Sequence, residues 1–229
     1  MKKIVLSTVL VMALASSNLV AWGMPSIAGV GADSSKSSGA ALTAEEVDAV
    51  LSNIKKATAL FDKSISKLSL ALLDKDAKAK IDAEMEKAQK ITDPKERDAA
   101  IAEVRTNQLA AIKKVTESAE GKEKVSKLSK QQAKSFIAAT YNFSLAGLMD
   151  ANAITLAKDV TQKVSANPMA ATSFISKVND LKDAVKTLPV QVEQIVSVGS
   201  KIVDLAKSNK IDIKLPSSAT EAPNTSDDA

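Results

Sequence analysis

The chain has 229 residues, no histidine, no cysteine and a formal net charge of +4. Without thiol or imidazole it has no cysteine nucleophile, no Ser-His-Asp triad, no disulfide framework and no ordinary zinc or haem ligation. Setting aside Lys2 and Lys3 leaves +2, the other lysines alternate with Asp and Glu, and Arg97 and Arg105 are the only arginines, so nucleic acid is not an expected partner.

Lys2 and Lys3 are followed by an uncharged apolar run from Ile4 through Ala15, with small residues at Ala13 and Ala15 and again at Ala21. A basic start, an apolar stretch too short for a stable bilayer span and a polar continuation have the form of a secretory signal peptide. Cleavage after Ala21 is expected, giving a leader of residues 1–21, because cleavage after Ala15 would leave a short one. No cysteine is present to carry a lipid anchor. The expected destination is the periplasm or the outside of the cell. Residues 22–41 are rich in Gly, Ser and Ala and read as a flexible arm.

A helical domain is expected over residues 42–215. Thr43 and Glu46 have capping-box spacing, and Leu42 with Val47 can form a hydrophobic staple around them. Val47, Leu51, Ile54, Thr58, Phe61, Ile65, Leu68 and Leu72 then fall at alternating steps of four and three, the seam of an α-helix. Val50, Ala57, Leu60 and Ala71 widen this face, which favours a bundle of several helices over a bare two-stranded coiled coil. After Asp74, Lys75 and Asp76, a turn or a solvated helical stretch, a weaker face continues through Ala77, Ile81, Met85, Ala88 and Ile91. Asp93 and Pro94 mark the next start, with Glu96 where a capping-box acid belongs. That helix is expected to reach about Glu120 and to be interrupted by Gly121, with another following from Lys122 through Phe143.

From Ser135 to Met149 the chain carries no charge. A helix apolar all round is expected at the centre of a core, and Gly147 beside Ala146 would admit a close neighbour. Leu156, Val160 and Val164 extend the helical spacing to Pro168, where a further helix is expected to begin and to run to Pro189. A last amphipathic stretch follows from Val192 to Ala206, with Lys207 and Asn209 suiting a helix C-terminus. Ile211, Ile213 and Leu215 alternate with Asp212 and Lys214 as an extended strap, and residues 216–229, of Ser, Thr, Pro and acid, are expected to be a disordered tail.

The fold expected from these elements is all-α: an elongated antiparallel bundle of five to seven helices with a disordered N-terminal arm and C-terminal tail. There is no Gly-rich phosphate loop. The Ser-x-x-Lys spacing at Ser64 and the mixed Ser and Lys residues of 126–130 are expected by chance in a chain rich in both residues. Asp74 with Asp76, and Asp82 with Glu86, lack the spacing of a calcium loop and read as a solvated face with Lys78 and Lys90. Tyr141, Asn142 and Asp150 are the polar groups nearest the uncharged run and are the candidate ligand or partner cleft. The chain is thus expected to be an exported, non-catalytic protein without a cofactor, serving as a binding, adaptor or structural component in the cell envelope or outside the cell. Its expected partner is a protein or envelope component. The alternative is a membrane-active helical protein using residues 135–149; this is less favoured because the run is shorter than the roughly 20 residues a span needs and ends at Asp150.

Overall fold

The first five α-helices each begin at a side chain that takes over free backbone amides. A computed structural model describes residues 42–226; the expected leader, the arm and residues 227–229 lie outside the described residues. In it α1 (Ala44–Leu72) starts at the Thr43 capping box, where the Glu46 amide donates to Thr43 Oγ1 at 3.3 Å and the Thr43 amide to Glu46 Oε2 at 3.1 Å. Asp74 accepts from the Ala77 amide and starts α2 (Lys75–Gln89), so the residues around Asp74 form a real break. Asp93 accepts from the amides of Lys95 and Glu96 to start α3 (Pro94–Thr116), with Pro94 in the first turn, where its missing N–H is no loss.

Two boundaries differ from the sequence expectation. The helix after Pro94 ends at Thr116, and Ser118 caps the short α4 (Ala119–Ser126). Gly121 lies inside α4 instead of breaking a helix: a Cβ there would sit 2.1 Å from the Val115 carbonyl oxygen, so only glycine lets the chain turn back this tightly. The chain breaks again before Ser129, whose capping box with Gln132 opens α5 (Lys130–Ala166). At 37 residues α5 is about 55 Å long.

A 3₁₀ segment (Pro168–Phe174) leads into α6 (Ile175–Ser208), which runs straight through Pro189. The sequence placed a helix end there, because proline lacks an N–H and crowds the carbonyl four residues back. Tertiary packing overrides that preference: Leu188 before the proline and Val192 after it are both buried, so one continuous rod keeps both in the core.

Cross-helix contacts give the arrangement. Glu46 pairs with Lys163 at 2.7 Å, and Phe61 stacks on Phe143 with ring centroids 5.7 Å apart, so α1 and α5 run antiparallel. Asp150 meets Gln191 while Ile195 faces Gly147, so α5 and α6 are antiparallel as well. α3 lies along α1 through Arg105 with Asp62 and Gln108 with Ser69, and along α6 through Lys113 with Ser197. The described residues therefore form an all-α bundle in which α5 runs antiparallel to α1 and α6, while α3 runs parallel to α1 and α6.

Within α1 the buried stripe is Val47, Val50, Ile54, Ala57, Phe61, Ser64, Ile65, Leu68, Ser69 and Leu72. The expected seam is thus rotated towards Val50 and Ala57, leaving Leu51 and Thr58 at its margin. Phe61, Ala139, Phe143, Ala146, Ile195 and Ile202 belong to one apolar cluster, and Val47, Ile54, Ala153, Val160, Leu188 and Val192 to a second. The uncharged run of α5 lies at the centre: its residues from Asn142 to Leu148 are all buried. At Gly147 a Cβ would meet Ile195 Cγ2 at 2.8 Å, so this glycine permits the close approach of α6.

Candidate functional site

Polar side chains on a buried helix need partners, and along α5 most find them at home. Thr140 and Ser144 donate back to the carbonyls of Phe136 and Thr140, and Thr155 and Thr161 to those of Ala151 and Ala157. Tyr141 and Asn142 instead reach out to the C-terminal segment.

The Tyr141 hydroxyl donates to Glu221 Oε2 at 2.6 Å. Asn142 makes a two-point contact with one residue's backbone: its Nδ2 donates to the Asn224 carbonyl at 2.9 Å, and its Oδ1 accepts from the Asn224 amide at 2.7 Å. The other Glu221 oxygen accepts from the Ser217 amide at 2.6 Å, from the Ser217 hydroxyl at 2.5 Å and from the Ser218 amide at 3.0 Å. Ala219 packs on a small apolar patch formed by Leu148, Ala151 and Val196. Residues 216–226 have neither helix nor strand, as their composition implies, yet these contacts lay part of the segment along α5. The strap before it also follows its alternation, with Ile211 and Ile213 packed on the core cluster and Asp212 and Lys214 exposed.

Electrostatics reinforces the Tyr141 contact. Burial, and then the neighbouring Glu221 carboxylate, push the Tyr141 hydroxyl up to about 12, so it remains a donor. Glu221 is held down at about 2, first by the Ser217 hydroxyl and then by Tyr141, so it remains an acceptor.

Asp150 has different surroundings. It is fully buried, its Oδ2 accepts from Gln191 Nε2 at 2.9 Å, and its Oδ1 has no hydrogen-bond partner. Burial pushes its pKa up to about 7, against the smaller opposing effect of Gln191. On α5 it lies between Ala146 of one apolar cluster and Ala153 of the other, and it forms a polar pair with Gln191 of α6. The structure thus brings Tyr141 and Asn142 together beneath the tail, while the hydrogen bond of Asp150 goes to α6.

The other constellations are occupied structurally. Ser64 donates to the Leu60 carbonyl, Ser126 to the Glu123 carbonyl, and Ser129 caps α5. Asp82 and Glu86 pair with Lys78 at 2.5 Å and with Lys90 at 2.6 Å. Among the described residues no group of three or more acidic side chains gathers to hold a metal ion, and no helix is long and apolar enough to cross a membrane. The sequence reading missed Glu221 and Asn224, which contact α5 from about 80 residues away in the chain and carry no local signal. No family model, curated protein or solved structure matches the chain.

Proposed function

We propose that this is an exported, non-catalytic binding or adaptor protein of the cell envelope or the cell exterior, whose recognition surface is the α5 face bearing Tyr141 and Asn142. The observation that carries this reading is the use of these two side chains to hold a non-helical stretch of polypeptide through a carboxylate and a backbone amide and carbonyl. Such groups recognise a chain; they are not arranged to move a proton or attack a bond. Export rests on Lys2, Lys3, the apolar run after them and the small residues up to Ala21.

In-host photo-crosslinking from a probe placed at the exposed Thr220, beside the contact, should capture a protein or envelope component from the envelope or medium fraction. Recovery of lipid alone, together with flotation of the purified protein on anionic liposomes, would replace this reading with the membrane-active one.

A further inference from the structure

We propose that the α5–α6 face around Tyr141, Asn142, Leu148 and Val196 is a peptide-recognition surface, closed in this structure by the chain's own residues 216–226. The ligand we infer is a non-helical segment of a partner protein that presents a carboxylate and, three residues on, a free backbone N–H and C=O. The inference rests on the binding-protein reading and names the chemistry of its partner.

Three observations carry it. Asn142 is almost completely buried, yet both ends of its amide point away from its own helix and match the backbone N–H and C=O of one residue, a contact indifferent to that residue's side chain. Tyr141 adds the selective element, a hydroxyl aimed at a carboxylate three residues earlier. On the patch of Leu148, Ala151 and Val196 the apolar contribution is small, a single Ala219 methyl. Beyond the buried Pro216 at its start, the segment is held to α5 by three hydrogen bonds and one methyl group, and binds weakly on its own account. It stays in place because its attachment, immediately after the strap at Ile211 and Ile213, gives it a high effective concentration. A partner segment with the same carboxylate and backbone pattern can displace it without any rearrangement of the bundle.

The test uses the full chain carrying Glu221→Ala and Asn224→Pro, which remove the carboxylate and the backbone donor from the tail. A labelled synthetic peptide with the sequence of residues 214–226 is titrated against it by fluorescence anisotropy. The opened variant should bind saturably and at least about tenfold more tightly than wild type, whose tail competes in cis. Adding Asn142→Ala to the opened variant should weaken binding about tenfold, since two hydrogen bonds to the peptide backbone are lost together. Replacing the peptide's glutamate by lysine should weaken it as well. Equal binding by wild type and opened variant, or no effect of Asn142→Ala, overturns the proposal.

A measurement on unmodified protein is independent of how the variants fold: hydrogen exchange at residues 217–226 should accelerate when excess peptide is added, and unchanged exchange counts against the proposal. A wild-type dimer in light scattering that Asn142→Ala abolishes would mean tail exchange between copies, and would overturn a foreign partner. If the peptide fails while in-host crosslinking still captures a partner, the α5 face and its peptide ligand fall and the binding-protein reading stands.

Discussion

Lys210 has a φ of 57°, the one positive value at a non-glycine among the described residues. It follows α6, where its amide donates to the Lys207 carbonyl and the Ile211 amide to the Ala206 carbonyl, both at 3.0 Å, the paired bonds of a Schellman motif. A side chain in this conformation is strained, so Lys210→Gly should raise stability by about 0.5 to 1 kcal/mol in urea unfolding. Asp150 gives the second prediction at this scale. Its folded-state pKa of about 7 lies above the ordinary 3.8, so the folded protein holds a proton that the unfolded chain has released between those values. Its contribution is therefore fully favourable below about pH 4 and is lost as pH rises through 7. Asp150→Asn should accordingly be more stable than wild type at pH 8, by on the order of 3 kcal/mol, and the difference should vanish by pH 4. Paired melting curves across that range check it, and a difference independent of pH would show that burial does not hold the proton there.

Among the elements, α6 carries the clearest conflict between local preference and tertiary demand. Pro189 removes a helical donor and crowds the Val185 carbonyl, yet α6 passes through it because both flanking turns are buried. Pro189→Ala should restore the missing bond and stabilise the protein by about 1 to 3 kcal/mol, the upper limit being the full proline penalty in a helix interior. A loss of stability would mean that a bend at this position is needed to seat Leu188 and Val192. Helix α5 has no such conflict. Its Ser and Thr side chains bond to their own backbone, and its alanines and Gly147 let α1 and α6 approach.

At the scale of the molecule, α1, α5 and α6 join the two clusters into one bundle, and the Phe61–Phe143 stack lies in the larger of them. Phe61 is 1 % exposed, so Phe61→Ala should cost about 3 to 5 kcal/mol. A double-mutant cycle with Phe143→Ala should return a coupling of about 0.5 to 1.5 kcal/mol for the ring pair. A cost below about 0.5 kcal/mol would place Phe61 outside the core.

What the sequence determined by itself is local. Thr43, Asp93 and Pro94 mark helix starts because capping is settled within one turn, and the uncharged run through Phe143 marks a central helix because no side of it suits water. Ser129 with Gln132 has the same capping-box spacing, set between apolar positions on either side. Tyr141 and Asn142 could be nominated because a polar group in such a run must find a partner, but the partner itself was not legible. Tertiary structure alone decided that α6 continues through Pro189, that Gly121 lies inside a helix, and that Glu221 and Asn224 return to α5. The physical reason is the same in each case: these outcomes depend on groups brought together by folding, whereas periodicity and capping report only on a residue and its neighbours along one helix.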